Sequence, residues 1–467
     1  MIGRRCALFA LGGLLLLVLT VNIYFVRMIV DNSLDNNNNN KYYTKTLPII
    51  NIKNDNTKIK LNNRLKNNNR KIITKEIEDK IKSEMRLLPS KFFKKNNNYI
   101  LLIDRLLNEL KIMPNVQKDI WSIPNINWPD AHQLLPAAAP ELGTILNALR
   151  KKNIIKVDNS GVGTQLKLML TFEGGVKALF KPQWYTRDAI LNGPVYYGKD
   201  RHNAEIVAFH LSSLLGLRRV PLTVIRKLKL SEIKNIATDK LKQTIFESSN
   251  ETCVYGTCHY CSSNDSVCSK NDDLEGAVIL WLPEHLKLSK HRNPWQRTYK
   301  KNKYALWESD QSYCDRVKEA KTYAPQSSSR LLDLIDTSIF DFLIDNGDRH
   351  HYELMEDNFH NPAVLLIDNG KSFANPDVDH IDILAPLYQC CMIHKTTWDR
   401  LQLFGGGALS ESLGKLLVHE STMADVLPLI TDDHLSAMDR RLLTVFAVVE
   451  ACLKNNNYAS NVILDHR

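Results

Sequence analysis

A chain of 467 residues with 44% hydrophobic side chains can hold one large or two ordinary domains with a sizeable core, and size alone selects no class of function. The formal charge of +10 suggests nucleic acid, yet residues 1–30 carry +3 and residues 31–100 carry +9, leaving −2 for 101–467. A nucleic-acid enzyme concentrates positive charge on its folded domain, whereas here the excess lies in the segment least able to fold, so a nucleic-acid partner is discounted.

Residues 1–5 read as a cytosolic tail and 6–26 as a transmembrane signal anchor. Cys6 to Val26 is free of charge and rich in Leu, Val, Ala and Gly, long enough for a membrane helix of about 20 residues. Arg4 and Arg5 before it keep the N-terminus cytosolic by the positive-inside rule, with Arg27 weakening the bias, and send the rest into the lumen. A cleaved signal peptide competes, but the run exceeds the ~7–15 apolar residues of such peptides and no clear A-x-A site follows. Residues 27–110 form an Asn/Lys-rich stem, with tracts such as Asn36 to Asn40 that bury too little to offset chain entropy. Short helical pieces near Glu76 to Leu88 and Leu101 to Leu110 are expected to dock on the domain at 111–467.

That domain opens with an irregular Trp/Pro stretch near Pro114 and a helix through Leu142 to Arg150. The loop Asn159-Ser160-Gly161-Val162-Gly163-Thr164 precedes what reads as a hairpin, Gln165 to Phe172 and Val176 to Phe180, turning at Glu173-Gly174-Gly175. A helix follows from about His202 to Leu215, with Ile206, Phe209 and Leu214 at helical spacing and His210 as the polar exception. From Leu331 helical patterns dominate, broken by the polar loop Asp345 to His351 and a short strand, Ala363 to Ile367. No internal repeat is evident.

Of nine cysteines, Cys6 lies in the span and eight lie beyond it. Cys253, Cys258, Cys261 and Cys268 could form a four-thiolate zinc site, but an even lumenal set favours disulfides. The sequons at Asn250 and Asn264 fall beside the same stretch, which reads as a glycosylated surface excursion.

Four positions carry chemistry in order: Lys181 ending a strand, an acid near a helix start (Asp200 or Glu205), Asp348 in a loop, and Asp368 after a strand. Phosphoryl transfer from ATP needs a lysine on the α/β-phosphates, an acid to orient it or hold metal, an aspartate for the hydroxyl proton and another for the divalent ion. Taken singly each has an ordinary explanation, as a solvated strand end, an Asp348–Arg349 ion pair or a turn cap at Asp368-Asn369-Gly370. The ordered set is more specific than its members. His350 and His351 read as loop scaffolding.

At Asp348-Arg-His-His-Tyr-Glu353 and Leu366-Ile-Asp368-Asn-Gly the sequence resembles the secretory-pathway kinases related to Golgi casein kinase, and more closely their glycosaminoglycan xylosylkinase branch. The likeness extends through Gly163-Thr-Gln-Leu-Lys167, Phe180-Lys-Pro182, Asp200-Arg-His-Asn-Ala-Glu205, Trp281-Leu-Pro283 and Leu384-Ala-Pro-Leu-Tyr-Gln-Cys-Cys391, covering roughly 115–455. The resemblance implies ATP binding at Gln165, Lys167, Lys181, Glu353 and a hinge of Ile279, Leu280, Trp281 and Leu282. It implies Asp348 as catalytic base, Asp200 and Asp368 as metal ligands, and Mn2+ as the ion, with Mg2+ possible. It further implies the pairs Cys253–Cys268, Cys258–Cys261, Cys314–Cys390 and Cys391–Cys452. Glu353 stands where ordinary protein kinases have Asn, and Asp368-Asn-Gly replaces Asp-Phe-Gly; both departures look family-wide.

The expected fold is α+β, a divergent two-lobed kinase-like fold with a β-rich small lobe, a helical large lobe and stabilising disulfides. The expected activity is ATP-dependent phosphorylation of the xylose 2-hydroxyl in the Gal-Xyl linkage of proteoglycans, by an enzyme anchored as a single-pass type II protein of the Golgi membrane. The alternatives are a lumenal protein-serine kinase and a non-catalytic pseudokinase partner.

Overall fold

In the computed structural model, which describes residues 75–114, 119–300, 303–355, 361–420, 426–456 and 459–465, the Glu173-Gly174-Gly175 turn closes the expected hairpin. Gly174 and Gly175 both take positive φ, +91° and +79°, which side-chain-bearing residues resist. Strand β2 (Leu168–Phe172) buries alternate residues Leu168, Leu170 and Phe172 and pairs antiparallel with β3 (Lys177–Pro182). A strand absent from the sequence reading, β1 (Ile154–Asn159), pairs with the outer edge of β2. Its alternation is masked because Ile155 is half exposed on an edge that also carries Lys156 and Asp158. The glycine loop therefore joins β1 to β2 and does not precede the first strand. With β4 (Thr223–Lys229) and β8 (Asp273–Leu280) the order is β1-β2-β3-β8-β4, antiparallel throughout.

Helices of ten or more residues are α1 (75–86), α2 (Asn98–Glu109), α3 (Leu142–Lys151), α4 (His202–Leu214), α5 (Arg330–Ile344), α6 (Ala408–Glu420) and α7 (Asp432–Asn455). Every residue of α4 is buried, because it lies between the five-stranded sheet and α6. Helix α5, likewise buried along its length, is the axis of the large lobe and packs on α4 and α7. Beside it a second sheet, of order β11-β10-β9, is built from β9 (Leu288–Arg292), β10 (His351–Met355) and β11 (Val364–Leu365).

The helical pieces expected before the domain are α1 and α2, and both dock on it. Phe92, between them, stacks on Phe446 of α7 with ring centroids 4.4 Å apart, and Glu109 at the end of α2 meets the buried Arg218 at 2.9 Å. Residues up to 74, with the expected membrane span, lie outside the described residues.

Strands β5 (Ile245–Ser248), β6 (Glu251–Val254) and β7 (Val267–Cys268) form a small excursion between β4 and β8. Cys253 and Cys268 face each other across β6 and β7 and are bonded, as are Cys258–Cys261, Cys314–Cys390 and Cys391–Cys452. The thiols are thus closed in pairs, with none left for zinc. Asn250 and Asn264 are exposed, Asn250 in the β5–β6 turn.

Where α2 ends, the chain crosses α3 at Gly143, and a Cβ built there would fall 2.2 Å from the Leu110 carbonyl oxygen. Backbone cannot yield as a side-chain tip can, so Gly143→Ala is expected to destabilise the domain by about 1–3 kcal/mol. Urea unfolding of the two proteins measures this, and an unchanged midpoint would mean that α2 does not hold this position.

Candidate active site

A cleft of about 500 Å3 opens between the five-stranded sheet and the large lobe. The end of β8 supplies one wall through Ile279, Leu280, Trp281 and Leu282, all four hinge positions named from the sequence. Antiparallel pairing with β3 and β4 fixes that wall: the Leu280 amide donates to the Leu222 carbonyl at 2.8 Å and the Trp281 amide to that of Lys177 at 3.0 Å. Val162 and Gly163 of the glycine loop form the roof, and Lys167, Lys181, Glu353 and Asp368 bring charge to the polar end. The disulfide-bonded excursion grips this roof from outside. The Thr257 amide donates to Asn159 Oδ1 at 2.7 Å, and the Tyr260 amide to the Thr164 carbonyl at 3.1 Å.

Lys181 stands at the centre of the polar end. Its side chain is 4% exposed, and an ammonium so buried must find counter-charges. Nζ lies 2.5 Å from Asp368 Oδ1, 2.6 Å from Glu205 Oε1 and 3.4 Å from Asp200 Oδ2. Burial alone would lower its pKa, but the three carboxylates together hold it well above the ordinary lysine value. The Lys181 charge in turn pulls the Asp368 carboxyl far below its usual range, with help from Lys167 at 3.6 Å, although the Asp368 side chain is 65% exposed toward the cleft.

Glu205 was only one of two acids the sequence offered, and the structure gives it the closer contact. It sits in the first turn of α4, nearly inaccessible, and also accepts the Asn369 amide at 2.9 Å. It therefore joins the lysine to the backbone of the Asp368-Asn369-Gly370 turn. Asp200 is held farther back. Its carboxylate accepts from Gln165 Nε2 at 3.1 Å while its amide donates to Gln165 Oε1 at 2.9 Å. Gln165, expected to touch nucleotide, orients Asp200 and, like Asp200 and Asp348, lies outside the residues that line the cleft.

Asp348 lies in the loop between α5 and β10. Its amide donates to Asn346 Oδ1 at 3.2 Å, and its carboxylate accepts the Tyr299 hydroxyl. The neighbouring Arg349, its side chain 8% exposed, locks the loop, with Nη2 2.7 Å from Asp341 Oδ1 on α5 and 2.8 Å from Asn369 Oδ1. Its Nη1 also donates to the Ile367 carbonyl. One arginine thus ties the Asp348 loop to the Asp368 turn. His350 Nδ1 lies 2.7 Å from the Asp348 carbonyl oxygen, and hydrogen bonding to Asp348 raises its pKa. Burial chiefly raises the carboxyl of Glu353.

Tyr299 escaped the sequence reading because its place depends on a loop with no periodicity. It stacks edge-on against Tyr196 at 4.7 Å, and burial, then the Asp348 charge, push its phenol up so that it remains a donor.

The oxygens of Asp200 and Asp368 are hard donors on either side of Lys181 Nζ, a set suited to a hard divalent cation beside phosphate. Among the described residues the ligand atoms of one acid–histidine group, Asp333, Asp336 and His394, all lie within 4.8 Å of one another. There Arg219 Nη2 lies 2.9 Å from Asp333 and His394 Nδ1 2.8 Å from Asp336, so the charge is met within the protein.

Gly370 lets the turn approach Asp200: a Cβ there would fall 2.6 Å from Asp200 Cβ. Gly370→Ala is expected to displace Asp200 and weaken Mn-ADP binding about tenfold, the scale of losing one hydrogen bond to a charged group. Calorimetric titration of both proteins checks this, and equal affinities would remove Asp200 from the metal site.

Comparison with known proteins gives a consistent result. The domain family described as Golgi casein kinase, C-terminal, Fam20 matches residues 119–461. The glycosaminoglycan xylosylkinase of Danio rerio is 47% identical over 339 residues, 72% of this chain and 81% of that protein. A glycosaminoglycan xylosylkinase homolog of Drosophila melanogaster is 43% identical over 385 residues, 81% of this chain and 87% of the other. Among solved structures, hydra Fam20 with sugar superposes with a TM-score of 0.71 at 41% identity, covering 76% of this chain and 99% of that one. The Golgi casein kinase with Mn/ADP bound gives 0.69 at 30% identity, over 81% and 95%. With its two lobes, its cleft and its paired cysteines, the chain belongs to the Fam20 family of kinases.

Proposed function

We propose that the protein is an ATP-dependent kinase that phosphorylates the 2-hydroxyl of xylose in the Gal-Xyl linkage region of proteoglycan glycosaminoglycans. The reading rests on one observation: Lys181, Glu205 and Asp368 converge, with the Asp348 loop tied to them through Arg349, in a chain 47% identical to a glycosaminoglycan xylosylkinase. The enzyme works in the Golgi lumen as a single-pass type II membrane protein. Among the described residues no helix is long and apolar enough to cross a membrane, and the proposed anchor precedes them.

In this mechanism the adenine enters between the glycine loop and the Ile279–Leu282 wall, and Lys167 and Lys181 turn toward the phosphates. Lys181 is prepared for this by Glu205, which fixes its direction without neutralising it. Asp200 and Asp368 would hold Mn2+, which would supply charge neutralisation for the phosphates. Asp348 accepts the proton of the attacking hydroxyl, and Arg349 keeps the base and the metal turn in register. Little covalent work is asked of the protein, since transfer of this kind depends on positioning and charge. The retained acids weigh against a pseudokinase. A protein-serine kinase remains the rival, because the extracellular serine/threonine protein kinase FAM20C of Homo sapiens is 42% identical over 71% of this chain, although this chain spans only 57% of that protein.

Labelled ATP and Mn2+ supplied to the lumenal fragment, with a Gal-Xyl glycoside and a casein peptide in parallel, decide between them. Transfer to the glycoside alone is expected. Asp348→Ala and Asp368→Ala should each lower it about a thousandfold. Labelled peptide without labelled glycoside would establish the protein kinase instead.

A further inference from the structure

From Leu286 to Leu306 the sequence holds seven lysines and arginines and no aspartate or glutamate, although residues 101–467 sum to −2. The described residues of this run, 286–300 and 303–306, lie beside the catalytic loop. Strand β9 pairs with β10, setting Arg292 opposite His351 and Lys290 opposite Glu353. Beyond β9 the segment is strapped to the loop: Asn293 donates to the carbonyls of His350, at 3.1 Å, and Arg349, at 3.0 Å, Arg297 Nε donates to that of Gly347 at 3.2 Å, and Tyr299 reaches Asp348. Arg297 is the anchor, paired at 2.5 Å with Asp382. Lys287, Lys290, Arg292, Lys300 and Lys303 are exposed, and none forms an ion pair among the described residues. A face that is merely solvated interleaves both signs, because unrelieved like charge repels itself.

We propose that this strip receives an acidic stretch of the polypeptide that bears the acceptor sugar. The inference rests on the function proposed above. A Gal-Xyl stub has no ionic group, so a counter-charge must come from the chain to which it is attached. Xylose joins serine through C1, next to the C2 hydroxyl that reacts, so the polypeptide passes within a few bonds of Asp348, alongside the strap that Tyr299 and Arg297 hold there.

The test compares three acceptors: a free Gal-Xyl glycoside, the same disaccharide on a neutral peptide, and on a glutamate-rich peptide of equal length. Wild type should prefer the acidic over the neutral glycopeptide by about tenfold in kcat/KM at low salt, and the preference should shrink as salt is raised. The triple variant Arg292→Glu, Lys300→Glu, Lys303→Glu should lose it while its rate on the free glycoside stays within about twofold, since exposed pairs carry modest energies that act on docking. Equal rates on the two glycopeptides in wild type, or a preference surviving the triple change, overturn the proposal. Fluorescence anisotropy of the labelled acidic glycopeptide supplies a readout without catalysis. If no Gal-Xyl acceptor is phosphorylated, the functional reading fails, and salt-sensitive binding that the variant loses still decides for the strip, while its absence decides against it.

Discussion

A buried ammonium group cannot be left alone, and the Lys181 charge organises this protein accordingly. Strand β3 carries it inward, the start of α4 presents Glu205 to it, and the turn after β11 brings Asp368. These segments are remote in sequence, and removing Lys181 would leave the buried Glu205 carboxylate without its ammonium partner, which is costly where water cannot replace it. The same contacts join the five-stranded sheet to the large lobe at the polar end of the cleft. Arg349 repeats the device one layer deeper, joining Asp341 of α5 to the Asp368 turn.

The same web carries backbone strain. Asp368 adopts φ +59°, a left-handed conformation that aspartate enters at some cost. The Asn369 amide is fixed on Glu205, and the Asn369 side chain is held by both Glu205 and the Leu366 carbonyl, so the turn is over-determined. Strain at a residue facing the cleft is tolerated where its surroundings are this rigid.

Much of this was legible in the sequence, and the failures have physical causes. The β2–β3 hairpin announced itself through alternation and two glycines, and the lysine and aspartates through order and chemical type. Strand β1 did not, because an edge strand need not alternate cleanly. Asp200 and Glu205 differ by five residues, and only the placing of α4 against β3 decides which one comes closer to Lys181. Gln165 is bonded to Asp200 across 35 residues of chain, a contact that no local pattern shows. Nothing in the local pattern could place Tyr299, since its contact with Asp348 follows from the strap beyond β9. The cysteine pairs likewise came from family resemblance, because spacing alone admits many connectivities.

The grip of the excursion on the glycine loop has a consequence for where the enzyme can mature. The roof over the phosphates leans on Thr257 and Tyr260, which flank or lie within the Cys258–Cys261 link, itself carried on a sheet closed by Cys253–Cys268. In reducing surroundings those links would be open thiols, and the roof would rest on a floppy support. Nucleotide would then be held least firmly before the links close and most firmly once oxidation in the lumen has finished the scaffold. Covalent maturation in this way acts as a clock on substrate capture, timing it by chemistry that the catalytic residues do not themselves perform.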